Sequence, residues 1–247
     1  MRREAAMDDY TNGNYTNMSD YYDMIMTSGY YDYNTISDAI LQSMKGHRLL
    51  EIGCGTGLIL EKILKEESIS QATGFDLTES MLDIAERRLK GFENTALYLQ
   101  DVTTLDLPGQ YDTAFSYGGV WYFSRNDDGL SMISHISDDE GNRKGLSKLA
   151  QHVVVGGHLL LGIQGPHVDY ESPIKGDMVY SQKIIPTTIG FTKNYFLKKN
   201  DEVLMSQTIN YRVYSFEDAL SLLAEFGFEY KSVKEDDNHI FLKFKRV

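Results

Sequence analysis

Between Leu49 and Gly57 the chain reads Leu-Leu-Glu-Ile-Gly-Cys-Gly-Thr-Gly, a short apolar strand running into glycines at alternate positions, and Leu58 to Leu64 continues with helical spacing. Strand, glycine turn and helix in that order suit a nucleotide. Gly53, Gly55 and Gly57 tolerate positive φ and carry no Cβ, so backbone N–H groups and a helix start can approach a ligand closely. Ala72 to Asp76 reads as a second strand ending in an acid about 20 residues past the glycines, where a carboxylate accepts hydrogen bonds from ribose hydroxyls. A third strand, Ala96 to Gln100, leads to Asp101, and a fourth, Tyr111 to Ser116, leads to Tyr117-Gly118-Gly119. All these strands end in polar or glycine residues on one edge of a parallel sheet, the edge at which open α/β sheets bind ligands.

The elements that must position these residues alternate as a doubly wound sheet from Arg48 to about Ile163. Helices are expected near Leu58 to Lys65, Ser80 to Lys90 and Gly145 to Val153, each strand returning through a right-handed crossover. Ahead of the sheet, Met18 to Ser28 and Ser37 to Lys45 carry apolar residues at helical spacing, with Gly46 as a helix stop. Beyond Gln164 the pattern becomes β-branched and aromatic over Met178 to Ile185, Phe191 to Lys198 and Val203 to Val213, with an Asn200-Asp201 turn. This predicts a small antiparallel insertion. Ser215 and Asp218 form a capping-box pattern for a helix to Phe226, which Gly227 ends. Glu229 to Lys234 and Ile240 to Lys245, across Asp236-Asp237-Asn238, predict a terminal hairpin.

Composition bounds the function. The 247 residues suffice for one α/β domain with a sizeable core, and a formal charge of -12 makes attraction to nucleic-acid phosphates a poor basis for binding. The single cysteine, Cys54, excludes an intrachain disulfide and fits a reducing cytoplasm. No apolar run approaches the ~20 residues of a membrane span, and the N-terminus, Met1 to Tyr33, is acidic and tyrosine-rich, with a Tyr/Asn/Asp-rich stretch at Asp8 to Asp20, rather than basic then apolar as in a signal peptide. A cytoplasmic protein, monomer or homodimer, is expected.

On these motifs the chain resembles the class I S-adenosylmethionine-dependent methyltransferases, of the small-molecule type. Glu51-Ile-Gly-Cys-Gly-Thr-Gly57 is similar to the family's first motif, Gly74-Phe-Asp76-Leu-Thr-Glu-Ser-Met81-Leu82 to the second and Gln100-Asp101-Val102 to the third. Tyr111 to Ser116 resembles the fourth, and the helix before Gly156-Gly157-His-Leu-Leu-Leu161 the fifth. The resemblance implies a Rossmann-like, mostly parallel seven-stranded sheet with a C-terminal antiparallel hairpin. A helical cap (1–46), a donor-binding core (47–165), a substrate-covering insertion (166–213) and the final helix and hairpin (214–247) would make one domain. It also implies S-adenosylmethionine as donor, held by Tyr30, Glu51, Gly53, Cys54, Gly55, Gly57, Asp76, Leu77, Met81, Asp101, Val102, Ser116 and Tyr117.

Methyl transfer from a sulfonium is an in-line displacement that needs alignment and dryness, with a base only where the acceptor must lose a proton. The tyrosine-rich segment Tyr21 to Tyr33 resembles the cap of methyltransferases acting on amines and phosphobases, and its rings suit a cationic acceptor by cation–π contact. Tyr22, Tyr122 and His167 are the candidate catalytic residues. Trp121 shares the substrate-facing position of Tyr122, with core packing as an alternative, while His135 reads as a surface loop residue and His152 as a helix-end partner of the dipole. The Asn/Asp-Pro-Pro-aromatic motif of base-amino methyltransferases is replaced by Ser116-Tyr117-Gly118-Gly119, and the paired glutamates of arginine methyltransferases are absent. The expectation is a small-molecule acceptor, an amine nitrogen first and a hydroxyl or carboxyl oxygen second, without a metal. A non-methylating binder of the same donor and a nicotinamide-dependent oxidoreductase are the alternatives.

Overall fold

A computed structural model describes residues 15–200, 202–231 and 240–247. The parallel strands β1 (Arg48–Ile52), β2 (Gln71–Asp76), β3 (Thr95–Leu99), β4 (Tyr111–Ser116) and β7 (Val153–Gln164) lie in the order β3-β2-β1-β4-β7. Antiparallel β13 (Phe241–Arg246) then pairs with β7, and β12 (Phe228–Tyr230) pairs with β13, completing the seven-stranded core. Near-continuous burial along β1, β2 and β4 follows from helices covering both faces. Those helices are α2 (Tyr33–Ser43), α3 (Leu58–Ile63) and α4 (Glu79–Leu89) on one face, and α5 (Asp139–His152) and α6 (Phe216–Glu225) on the other.

A second layer grows from the far end of β7. Ile163 and Gln164 pair with Phe123 and Ser124 of β5 (Trp121–Asn126). From there an all-antiparallel series runs β5-β6-β11-β10-β9-β8 through β6 (Gly129–Ser134), β11 (Glu202–Ser215), β10 (Gly190–Lys199), β9 (Met178–Pro186) and β8 (Tyr170–Ile174). The insertion strands expected after Gln164 are present, but they do not form a separate unit. They continue a hairpin, β5–β6, in the segment where the sequence suggests a loop. Its two-residue turn, closed by the Asn126–Gly129 pair, is Asp127-Asp128.

The N-terminal segment lies between the layers. Helix α1 (Ser19–Ile25) and a π-turn over Met26–Tyr30 lead to α2, and Met18, Ile25, Met26, Ile36 and Ile40 share one apolar cluster with Leu49 and Leu60 of the core and with Tyr180, Phe191 and Tyr211 of the second layer. Two expected boundaries shift. Helix α5 begins at Asp139 rather than Gly145, because Asp138 caps it by accepting from Gly141 N at 2.6 Å. The Ser215 cap is as the pattern predicts, accepting from Asp218 N at 3.1 Å. Residues 8–14, Asp201 and the expected turn at 236–238 lie outside the described residues. Among the described residues no helix is long and apolar enough to cross a membrane.

Candidate functional site

The ends of β1 to β4 surround a cavity of about 450 Å³. The glycine loop contributes Gly53 and Gly55, β2 contributes Asp76 and Leu77, α4 contributes Met81, β3 leads to Gln100, Asp101 and Val102, and β4 leads to Gly118, Gly119 and Val120. Asp76 organises this edge. Its Oδ2 accepts from Gly55 N at 2.8 Å and its Oδ1 from Thr78 N at 2.9 Å, so one carboxylate ties the glycine loop to the start of α4. Burial raises its pKa against the pull of those donors. Asp101 accepts from Thr103 N at 2.7 Å and so caps the short turn that presents Val102. Two close approaches set the loop's shape. Gly55 has φ +52° beneath the ring of Tyr22, and a Cβ on Gly119 would lie 2.1 Å from the Ile52 carbonyl.

Not every candidate lines this cavity. Cys54 packs where a Cβ on Gly74 would fall, and Gly57 starts α3 against Ala85 and Leu89. Tyr117 stacks edge-on with Tyr31 and Phe241. Glu51 is 3 % exposed, and among the described residues neither its Oε2 nor the buried Ser116 Oγ has a hydrogen-bond partner. Burial, then the nearby Asp76 charge, raises the Glu51 pKa well above the carboxylate range.

Behind the cavity lies a narrow chamber with about 20 Å³ of free space, room for a water. It shares Tyr15, Tyr22, Gly118 and His135 with the cavity and adds Tyr30, Tyr31, Tyr122, Gln164, His167, Lys193, Tyr195 and Tyr211. Strand alternation decides what faces it. On β5, Tyr122 joins the cluster on this side, whereas Trp121 and Phe123 join the opposite one. Trp121 is therefore core, its Nε1 donating to Asn142 Oδ1 at 2.7 Å. Tyr122 Oη lies 3.0 Å from His167 Nε2, and that imidazole lies 4.9 Å from the Phe191 ring at a tilt of 35°.

His135 corrects the sequence expectation of a surface residue. It directly follows β6, with Nε2 3.1 Å from Tyr15 Oη, which in turn lies 3.0 Å from Tyr211 Oη, itself 2.6 Å from Tyr195 Oη. Burial lowers His135 to about 4 and His167 to about 3. His152 is the last residue of α5, the helix end at which the sequence places it, and is 6 % exposed with Nε2 accepting from Leu107 N at 2.9 Å, a structural tie. Sequence reasoning missed Tyr15, Gln164, Lys193, Tyr195 and Tyr211. For Lys193 a signal existed, a lone lysine at an alternate position of a strand otherwise apolar on that face. Among the described residues no three His, Cys, Asp or Glu side chains converge as a metal site would require.

A family model of the methyltransferase domain matches residues 49–141. Over 94 residues the chain is 30 % identical to a malonyl-[acyl-carrier protein] O-methyltransferase 1 of Ilyobacter polytropus, covering 38 % of this chain and 34 % of that one. It is 38 % identical over 115 residues to a ubiquinone biosynthesis O-methyltransferase of Bordetella bronchiseptica, covering 44 % and 40 %. The matched segments thus span between a third and two fifths of these relatives. The sugar N-methyltransferase KedS8 from Streptoalloteichus shares the fold over 100 % of this chain and 98 % of its own, with a TM-score of 0.67 at 17 % identity. Residues 49–141 thus match the methyltransferase-domain family model, and the whole chain shares the fold of solved S-adenosylmethionine-dependent methyltransferases.

Proposed function

We propose that this protein transfers a methyl group from S-adenosylmethionine to an oxygen of a small-molecule acceptor. The observation that carries this reading is the junction of a glycine-loop cavity with a tyrosine- and histidine-lined chamber, bridged by Tyr22. The cavity suits the donor. Asp76 and Asp101 offer carboxylates toward hydroxyls and amines, Leu77, Met81 and Val102 give apolar walls for a purine, and the unpartnered Oε2 of Glu51 lies beneath the loop. When bound, S-adenosylmethionine supplies an electrophilic methyl group on a sulfonium. The chain's contribution is to align the acceptor and exclude water.

Burial has made both imidazoles weak bases. A nucleophile that arrives already deprotonated, a carboxylate or an acidic hydroxyl, is the one this chamber serves without a strong base. The names of the two curated O-methyltransferase relatives support oxygen. An amine acceptor, first expected from the sequence, is the second reading, favoured by the tyrosine rings around the chamber.

The test is a calorimetric titration of S-adenosylhomocysteine followed by mass spectrometry of products from paired hydroxyl, carboxyl and amine acceptors. Micromolar binding with oxygen methylation is expected. Methylated amines alone would overturn the oxygen assignment, and a folded protein that does not bind S-adenosylhomocysteine would overturn the donor site as well.

A further inference from the structure

On β10 the inward-facing positions are Phe191, Lys193, Tyr195 and Leu197. A lysine in that series is anomalous, and Lys193 is only 2 % exposed. Its Nζ donates to Tyr30 Oη at 3.3 Å and lies 4.9 Å from the centre of the Tyr195 ring. Among the described residues no carboxylate forms an ion pair with it. The groups around the same chamber are Tyr15, Tyr22, Tyr30 and Tyr31 from the N-terminal segment, Tyr122 from β5, His135 after β6, Gln164 from β7, His167 before β8, and Tyr195 and Tyr211 from β10 and β11. None brings a negative charge, because burial pushes the tyrosine hydroxyls upward and keeps them neutral. Gln164 adds a buried amide Nε2 that has no partner among the described residues.

An ammonium taken out of water without a counter-charge opposes folding, and a methionine or leucine would fill this strand position at lower cost. Burial lowers Lys193 to about 7, so an anion entering the chamber would meet a group able to regain its proton near neutrality. We propose that Lys193 is the anchor for a carboxylate on the methyl acceptor, the carboxylate alone taking the water-sized space of the chamber while the rest of the acceptor lies past Tyr15, Tyr22, Gly118 and His135 in the adjoining cavity, making the substrate class small organic acids. This rests on the methyl-transfer reading, since the chamber is an acceptor site only if the adjoining cavity holds the donor.

The experiment uses the full chain saturated with S-adenosylhomocysteine and measures affinities for benzoate, 4-hydroxybenzoate and 4-aminobenzoate, each beside its neutral carboxamide, in wild type, Lys193→Met and Lys193→Arg. Wild type should bind the acids at least about tenfold more tightly than the amides, the difference expected when a buried charged hydrogen bond loses its partner. Lys193→Met should erase that preference, Lys193→Arg should keep part of it, and both should bind S-adenosylhomocysteine as wild type does. The ligand-free Lys193→Met protein should melt no lower than wild type, whereas a structural lysine would lower it. No acid preference in wild type, or a preference that survives Lys193→Met, would overturn the proposal. Failure of S-adenosylhomocysteine to bind would instead remove the donor reading, and this inference with it.

Discussion

Asp76 does two jobs with one carboxylate: it fixes the glycine loop through Gly55 N and the start of α4 through Thr78 N, and it faces the cavity. Asp76→Asn substitutes an amide for one of those acceptors, leaving an N–H of the loop or of the helix start without its partner. Losing a charge-assisted hydrogen bond of about 1.5–3 kcal/mol should weaken S-adenosylhomocysteine binding about 10- to 100-fold, read by calorimetry. Unchanged affinity in a folded variant would show that Asp76 only supports the loop. The glycine-loop cavity was legible in the sequence because positive φ, close approach and a strand-end acid restrict residue type at fixed spacing. The tyrosine-lined chamber was not. Tyr15 ahead of α1, His135 directly after β6, and Lys193 and Tyr211 at inward positions of β10 and β11 lie far apart in the chain and meet only in the folded protein.

At the scale of elements, Arg88 of α4 ties together the pieces that cover the glycine loop. It donates to Thr56 O at 2.8 Å and to Glu61 of α3 at 3.0 Å, and it pairs with Asp23 of α1, which also accepts from Thr56 Oγ1. Arg88→Met keeps the aliphatic stem and removes the donors, so α1 should loosen from the loop. A stability loss of about 1–2 kcal/mol is expected in urea denaturation, below the sum of the separate bonds because Asp23 and Glu61 are partly exposed. Amide exchange should show faster opening in α1 than in β1. Helix and strand identity in the core followed from periodicity, whereas the β5–β6 hairpin did not. Its strands bury both faces, so Trp121 to Ser124 reads as an apolar run without alternation, and only the Asp127-Asp128-Gly129 turn marks the pairing.

For the whole molecule, the buried imidazoles set an acid limit. His135 titrates near 6.5 when unfolded and about 4 when folded, so the unfolded chain binds more protons between those values and stability is lost as pH falls through that window. Glu51 and Asp76, with raised pKa values, act in the opposite direction as they protonate. Comparison with His135→Gln isolates the histidine: between pH 7 and pH 5 wild type should lose about 2 kcal/mol more stability than the variant, measured by urea titration at each pH. Equal losses would mean that His135 is solvated in the native state. Among the described residues β7 alone pairs with strands of both layers, and the ladder joining them is two residue pairs long, Phe123–Ile163 and Ser124–Gln164. The layer that lines the chamber is threaded from two separate stretches of chain, 121–134 and 170–215, so a lineage that reshapes it must keep two insertions in register with each other while the strands carrying the glycine loop stay as they are.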